Sequence, residues 1–362
     1  MIQLYRSKQN KTCSPQFTSS YARRPVTEST QIADLFRGGT SSTSSSPRSD
    51  IDSNDSRLHR LPNMASAIVP QLPTLVSGWY PPSREHWELI SFAWQFFPLF
   101  TVTQWFFDFY PQGKTSIDSR FNLPGKWAWF FMEIPGMLTV LYCMFSIPQT
   151  IGFRGPQDLP WGNWAMVGVY TIHYVYRAVL SPLLLNPSMS PIHPFVFLSA
   201  FAWQVTNGLS LGGWLAGYGP TTIDDWAGKL YYMEIGLIIW GWSFLGNIFH
   251  DDDLREIRRS ALRRQQKKAK EEGKPIEGVN KLYMMPKNGL FHFILYPHYF
   301  CEWLEWAGFW MVGGLGCVPA RSFLLNEIST MLPRALQGKR WYVEKFGKEK
   351  VGNRKAVIPG II

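Results

Sequence analysis

The polar side chains that interrupt the long apolar runs of this sequence are the ones whose types and spacing suit chemistry. Glu133 lies among aromatic residues, and Tyr174 follows His173 in the next apolar run. A carboxyl or phenol inside such a run is costly unless it faces protein, water or a ligand. A phenol backed by a carboxyl can hydrogen-bond a ligand carbonyl oxygen and stabilise developing negative charge. A helix-packing carboxyl and an interfacial tyrosine are the alternative interpretations.

A second set of polar residues lies at the end of the apolar run from Leu230 to Phe249. Asn247, Asp251 and Arg258 are spaced by four and seven positions, which places an amide, a carboxylate and a guanidinium on one helical face. Such a face suits a phosphate-bearing cofactor at the edge of a membrane. The alternative is that the helix leaves the membrane here and its polar residues are solvated.

Two other kinds of site are not supported by the residue spacing. His298 and Glu302 share a helical face, but two ligands without a suitably spaced third do not predict a zinc site. The four cysteines form no CxxC pair and predict no disulfide framework. GxGxxG and P-loop fingerprints are missing from the sequence, so a dinucleotide would have to bind without a Rossmann unit.

Long apolar segments must position these residues. The chain has 362 residues, of which 46% are hydrophobic and 16% aromatic. From Trp79 onward, apolar runs of roughly 20 residues alternate with short polar loops, as in polytopic membrane proteins. We predict an all-α fold, a bundle of about seven transmembrane helices, with spans near 87–107, 127–148, 162–185, 192–216, 229–249, 289–312 and 315–336.

Composition divides the chain into a tail and a membrane domain. Residues 1–70 are rich in Ser, Thr, Arg and Pro and are predicted to be a disordered tail, with a transit peptide as the alternative. Residues 80–362 form the predicted membrane domain. The net charge of +10 is concentrated in a basic loop at 255–281 and a C-terminal segment at 337–362, which the positive-inside rule places in the cytosol. No nucleic-acid recognition pattern accompanies these basic residues.

The order and spacing of the motifs resemble the steroid 5α-reductase family of NADPH-dependent membrane reductases. The resemblance covers about residues 85 to 362. Its motifs are Glu133-Ile134-Pro135, His173-Tyr174 with Arg177, Asn207-Gly208, Asn247 with Asp251 and Arg258, Tyr283 with Pro286, Gly289-Leu290-Phe291, Glu302 with Glu305-Trp306, and Arg354-Lys355-Ala356-Val357-Ile358-Pro359. It implies a seven-helix, multi-pass protein of the endoplasmic reticulum membrane that reduces a carbon–carbon double bond conjugated to a ketone.

The resemblance also implies a role for each matched residue. Glu133 and Tyr174 would be catalytic and hydrogen-bond the carbonyl oxygen, while Arg177 would contact a lipophilic enone that enters from the bilayer. The residues matched to NADPH binding are Asn207, Asn247, Asp251, Arg258, Tyr283, His298, Glu302, Arg334, Tyr342 and Arg354. The chain departs from the family at Gly338, where some members have histidine, and in the loop 183–191, which lacks the arginines that members often place there.

The function most consistent with these residues is NADPH-dependent reduction of a Δ4-3-ketosteroid or related sterol-like enone. A trans-2-enoyl thioester or a polyprenoid would use the same chemistry. A membrane methyltransferase that uses S-adenosylmethionine is an alternative from another class, and a non-catalytic lipid-binding scaffold is a third. Glu133 with Tyr174 favours the reductase, since methyl transfer has no evident need for that pair. The sequence carries no signal for the oligomeric state.

Overall fold

The computed structural model describes residues 71–107, 119–186, 188–273 and 283–362. Within these ranges the chain is helical and contains no β-strand, which confirms the predicted all-α class. The predicted tail at 1–70 and the last part of the predicted basic loop, residues 274–282, lie outside the described residues.

The helices follow the apolar runs of the sequence closely. Their bounds are α1 Arg84–Trp94, α2 Pro98–Thr101, α3 Thr103–Phe106, α4 Gly125–Thr150, α5 Trp161–Tyr174, α6 Pro194–Gly213, α7 Asp224–Ala227, α8 Leu230–Glu272, α9 Pro297–Gly313, α10 Val318–Phe346 and α11 Lys348–Val351. Helices α5 and α6 continue into π-helical segments, Val175–Leu185 and Trp214–Tyr218. The first predicted span differs, because α1 ends at Trp94 and two short helices follow it. The sixth, predicted at 289–312, differs at its start, because a short 3-10 helix occupies Gly289–His292 and α9 begins only at Pro297.

Helix α8 extends well beyond the span predicted at 229–249. It runs for 43 residues, about 65 Å, and ends where Gly273 adopts a left-handed conformation. Residues 255–272, which were predicted as part of a loop, are therefore helical. Ion pairs one turn or two turns apart support this extension, such as Arg259 with Asp252 at 3.1 Å and Lys268 with Glu272 at 3.6 Å.

Helix α4 alone, among the helices of the described ranges, is long and apolar enough to cross a membrane by length and composition. Helix α9 has 17 residues and contains two glutamates, and α10 contains Arg321 and Glu327. Tyrosine, tryptophan and buried polar side chains lower the hydropathy of the other helices. The seven-span arrangement stays a prediction.

Glycines bring two pairs of helices into backbone contact. A Cβ on Gly208 of α6 would lie 2.9 Å from the carbonyl oxygen of Gly136 on α4. A Cβ on Gly236 of α8 would lie 2.7 Å from the carbonyl oxygen of Gly308 on α9. Small residues permit such close approach in apolar helix bundles. The α4–α6 and α8–α9 pairs therefore hold their polar side chains at short range from one another.

An aromatic cluster joins α5, α9 and α10. Trp306 is fully buried, with its ring centroid 4.3 Å from that of Phe323 and 5.9 Å from that of Tyr170. Aromatic pairs at these separations add to the free energy of burial. The cluster fixes the end of α5 from which Tyr174 projects.

The C-terminal residues pack against the segment that leads into α9. The Tyr296 amide donates to the Ala356 carbonyl at 2.9 Å, and the Leu295 amide donates to the Lys355 carbonyl at 3.0 Å. Arg354 donates to the carbonyl oxygens of Pro286 and Val351 at 3.2 and 3.0 Å. The backbone bonds to Lys355 and Ala356 thereby fix the start of α9, which carries Glu302 and Glu305.

Candidate functional site

A cavity of about 790 Å³ opens between α2, α3, α4, α5, α6, α9 and α10. Its size is within the range of ligand pockets. We call it the apolar cavity, because Phe97, Phe100, Trp129, Phe195 and Trp203 form much of its wall. The ionisable side chains that line it are Glu133, His173, Tyr174, Arg177, Glu302, Glu327 and Arg334.

The structure brings Glu133 and Tyr174 to the same cavity. The Gln204 amide donates a hydrogen bond to Glu133 Oε2 at 2.6 Å, and its side chain also interacts with Tyr174. Gln204 therefore orients both members of the predicted catalytic pair. Sequence analysis assigned Gln204 no role, although its position one turn before Asn207 on the same helix was an available signal.

His173 lies behind Tyr174 and links α5 to α9. Its Nδ1 is hydrogen-bonded to Glu305 Oε1 at 2.6 Å, and its Nε2 lies 3.9 Å from Glu302 Oε1. All three side chains are buried. A buried polar network of this kind stabilises one arrangement of the surrounding helices. The His173–Glu305 bond therefore sets the register between Tyr174 and the α9 carboxyl groups.

A second cavity, of about 280 Å³, adjoins the first. We call it the polar cavity, because its wall includes the guanidinium groups of Arg177, Arg255, Arg258 and Arg334. Asp251 and His298 also line it. Four residues line both cavities: Trp129, Arg177, Met331 and Arg334. Guanidinium groups bind phosphates through paired hydrogen bonds, so this cavity suits a phosphate-bearing ligand.

Arg255 is a buried residue of the polar cavity that sequence analysis did not select. Its Nη2 donates to the Tyr176 hydroxyl at 2.5 Å, to Ser181 Oγ at 3.3 Å and to Asp251 Oδ2 at 3.4 Å. Tyr176 and Ser181 belong to the π-helical segment that follows Tyr174. The position of Arg255 four residues after Asp251 was the available signal. Arg255 thus ties α8 to α5.

Two residues predicted to bind NADPH are buried between helices and line neither cavity. Asn207 accepts a hydrogen bond from Trp94 Nε1 at 3.1 Å. Asn247 interacts with Glu305, and its Oδ1 has no hydrogen-bond partner among the residues that the structure describes. Both positions lie one turn from residues that do line a cavity, Gln204 and Asp251 respectively.

Three other residues predicted to bind NADPH pack behind the polar cavity. The Tyr283 ring lies 4.9 Å from that of Trp341, and the Tyr342 ring lies 6.3 Å from that of Tyr296. Trp341 and Tyr296 line the polar cavity, whereas Tyr283, Tyr342 and Arg354 do not. The predicted residues that the structure places on a cavity wall are Glu133, Tyr174, Arg177, Asp251, Arg258, His298, Glu302 and Arg334.

Gly338 lines the polar cavity. Some members of the family that the sequence resembles have histidine at this position. A Cβ at this position would overlap the phenol ring of Tyr296. We expect Gly338→Ala to destabilise the protein by about 1–3 kcal/mol, because the Tyr296 ring must move to relieve the overlap. The melting temperature of the purified protein should fall. Gly241→Ala is the matched control, since a Cβ there meets no atom within 4 Å; equal melting temperatures for the two variants would contradict the prediction.

Comparison with known proteins agrees with the family that the sequence motifs resemble. A sequence model of the family described as 3-oxo-5-alpha-steroid 4-dehydrogenase matches residues 190–362. An uncharacterised protein of Schizosaccharomyces pombe is 34% identical over 260 residues, which is 69% of this chain and 90% of that protein. A steroid 5-alpha-reductase of Solanum lycopersicum is 28% identical over 73% of this chain and 91% of its own length. The 3-oxo-5-alpha-steroid 4-dehydrogenase 1 of Mus musculus is 29% identical over 67% and 83%.

Proposed function

Because this chain belongs to the 3-oxo-5-alpha-steroid 4-dehydrogenase family, we propose that it uses NADPH to reduce the carbon–carbon double bond of a Δ4-3-ketosteroid or related sterol-like enone. One observation carries the proposal. Glu133 and Tyr174 line an apolar cavity that adjoins a cavity lined by arginines. A lipophilic enone suits the first cavity, and a phosphate-bearing cofactor suits the second.

The role proposed for Glu133 and Tyr174 follows from the electronic demand of the reaction. Negative charge develops on the carbonyl oxygen as the β-carbon accepts a hydride. The Tyr174 hydroxyl and a Glu133 carboxylic acid would donate hydrogen bonds to that oxygen, which makes the β-carbon more electrophilic. Gln204 holds Glu133 in place through its 2.6 Å hydrogen bond. The aromatic wall excludes water, which strengthens these hydrogen bonds.

The polar cavity and its surroundings fit NADPH by the chemistry of their side chains. Arg258 and Arg334 offer guanidinium groups for phosphates, and Asp251 offers an acceptor for hydroxyl groups. Glu302 Oε2 is buried on the adjoining wall and has no partner in the described part of the chain, so it can accept a hydrogen bond from an amide. The cofactor, when bound, supplies the hydride.

An indirect role in NADPH binding is proposed for the five predicted residues that line neither cavity. They would hold in place the residues that do line a cavity. The five are Asn207, Asn247, Tyr283, Tyr342 and Arg354. Asn247, for example, contacts Glu305, the partner of His173. A role of this kind affects cofactor affinity through the shape of the cavity.

A multi-pass location in the endoplasmic reticulum membrane is the proposed setting. Large apolar side chains are exposed on the outer faces of the bundle, including Phe131 and Leu138 on α4 and Trp242 on α8, the last with 75% exposure. Exposed apolar surfaces of this kind are unusual for water-soluble monomers and suit contact with lipid. Helix α8 passes from apolar residues to the arginines after Leu254, as expected at a cytosolic membrane surface.

Asp251→Ala is expected to weaken NADPH binding by about tenfold. The substitution removes an acceptor from the polar cavity and releases Arg255, whose Nη2 lies 3.4 Å from Asp251 Oδ2. Turnover at saturating NADPH should change little. Titration of intrinsic tryptophan fluorescence with NADPH measures the dissociation constant, and Glu256→Gln on the exposed side of α8 is the matched control. A dissociation constant equal to that of the wild type would contradict this role for Asp251.

The proposed function is tested by following NADPH oxidation with detergent-purified protein. The protein is offered a Δ4-3-ketosteroid, a trans-2-enoyl thioester and an unsaturated polyprenoid carbonyl compound in separate reactions. Oxidation with the ketosteroid supports the proposal, whereas oxidation with another enone alone keeps the chemistry and changes the substrate class. Tight binding of S-adenosylmethionine without NADPH oxidation would favour the methyltransferase instead.

A further inference from the structure

Glu327 of α10 lines the apolar cavity and has no part in the mechanism above. Its carboxyl group forms no hydrogen bond and no ion pair with any residue that the structure describes. Leaving a carboxyl without a partner inside an aromatic cavity costs free energy. Elsewhere in the bundle a buried carboxyl is paired directly, as the 2.6 Å bond between His173 and Glu305 shows. Glu327 has no such hydrogen-bonded partner within the described fold.

The position of Glu327 places it near the predicted catalytic pair. The carboxyl groups of Glu133 and Glu302 are close enough to repel the carboxyl group of Glu327, and the guanidinium groups of Arg177 and Arg334 are close enough to attract it. The Tyr174 phenol also lies within electrostatic range of Glu327. Arg334, seven residues further along α10, lines the boundary with the polar cavity. Glu327 thus lies at the end of the apolar cavity where the enone carbonyl would bind.

Other polar atoms lie along the same wall. Thr330 lines the cavity three residues after Glu327, and its hydroxyl donates to the Asn326 carbonyl at 2.9 Å, which leaves the Thr330 oxygen as an acceptor. Gln104 also lines the cavity, and its Oε1 has no partner within the described ranges. Phe100 and Phe195 form apolar parts of the wall. The cavity wall therefore carries other polar side chains besides Glu327.

We propose that Glu327 determines substrate specificity by accepting a hydrogen bond from a hydroxyl group that the enone carries close to its conjugated carbonyl. The inference rests on the proposed function and narrows the substrate class to hydroxylated sterol-like enones. A site that hydrogen-bonds a substrate hydroxyl discriminates strongly against the analogue without it, since the acceptor is then buried without a partner. Glu327 acts here on substrate choice and takes no part in hydride transfer.

The test compares cholest-4-en-3-one with derivatives that carry one hydroxyl group on ring A or ring B. For the wild type we expect kcat/KM to be about ten- to a hundredfold higher for at least one hydroxylated derivative. In Glu327→Leu this preference should disappear, while kcat/KM for cholest-4-en-3-one stays equal or rises. Glu327→Gln keeps the shape and an acceptor oxygen, so it should retain part of the preference. Glu344→Gln, on the exposed end of α10, is the matched control.

Binding is measured separately by quenching of tryptophan fluorescence in the absence of NADPH. The inference is supported if the wild type binds a hydroxylated derivative more tightly than cholest-4-en-3-one and Glu327→Leu does not. This result would stand even if no enone is reduced and the proposed function fails. Reduction of all the enones with equal kcat/KM by the wild type overturns the inference and leaves the proposed function standing. A hydroxyl preference that survives in Glu327→Leu also overturns it. If Glu327→Leu does not fold, Glu327→Gln provides the test. The inference is then overturned if Glu327→Gln shows the same hydroxyl preference as the wild type in both assays.

Discussion

Replacing Tyr174 with phenylalanine is expected to lower turnover by about 100- to 1,000-fold. The change removes one hydroxyl group from the wall of the apolar cavity and keeps the ring that packs against Tyr170 at 4.6 Å. The lost hydrogen bond strengthens as charge develops on the carbonyl oxygen, so kcat should fall much more than affinity. NADPH oxidation gives kcat, and fluorescence titration gives the dissociation constants of NADPH and enone.

Tyr170→Phe is the matched control for this prediction. Tyr170 belongs to the same helix, is fully buried and does not line the cavity, and its hydroxyl interacts with both Asn207 and Tyr174. Turnover should fall much less in Tyr170→Phe than in Tyr174→Phe, because the Tyr174 hydroxyl stays on the cavity wall. Wild-type turnover in Tyr174→Phe would remove Tyr174 from the proposed mechanism, whereas equal losses in both variants would indicate a general effect on packing.

Replacing Glu305 with alanine is expected to cause the largest loss of stability, roughly 2–4 kcal/mol. Glu305 is fully buried, and its bond to His173 is 2.6 Å long. Alanine leaves the His173 Nδ1 without a partner in the core and opens a cavity beside Trp306. Thermal unfolding in detergent measures the loss as a lower melting temperature. Glu256→Ala, which removes surface ion pairs with Arg259 and Arg263, should lower it much less.

A double variant separates the hydrogen bond from simple loss of volume. Replacing both partners with apolar residues, His173→Phe with Glu305→Leu, removes the pair and leaves the Asn247 side chain as the group that loses a partner. We expect this variant to be more stable than Glu305→Ala, because the cost arises mainly from an unpaired partner. A melting temperature at or below that of Glu305→Ala would show that volume dominates at this position.

The length and number of the apolar runs were enough to predict most helices, because each helix must bury or expose a continuous apolar surface. The span predicted at 127–148 is α4 at 125–150, and the span predicted at 162–185 is α5 with its π-helical segment. The first span was wrong in its continuity. Pro98 has no amide hydrogen to donate, and the helix that was predicted to continue through it ends at Trp94.

The C-terminal end of α8, in contrast, lies later in the chain than predicted. Charged residues after Leu254 were predicted to form a loop, yet arginines and glutamates one turn apart support a helix in water. Nothing in the sequence interrupts the helix until Gly273. A change from apolar to charged residues marks a change of solvent, and it does not by itself mark a change of backbone conformation.

The catalytic pair was predicted from the chemistry of single residues, and its role stays a prediction. Glu133 and Tyr174 stood out because polar groups are rare in apolar runs, and the structure places both on one cavity. Gln204 and Glu327 could not be assigned in the same way. The partner of Gln204 lies 71 residues away in the chain, and the role of Glu327 depends on the partners it lacks. Both depend on tertiary contacts that spacing along one helix does not reveal.

The wall shared by the two cavities has a consequence for the order in which ligands add. Trp129, Arg177, Met331 and Arg334 face both spaces, so a ligand that orders these side chains from one side prepares them for the other. The second ligand then loses less conformational entropy on binding, which is positive cooperativity without a change of fold. Linkage makes the effect reciprocal in free energy. Since Arg334 is proposed to bind a phosphate, the charged ligand is the one that should add first.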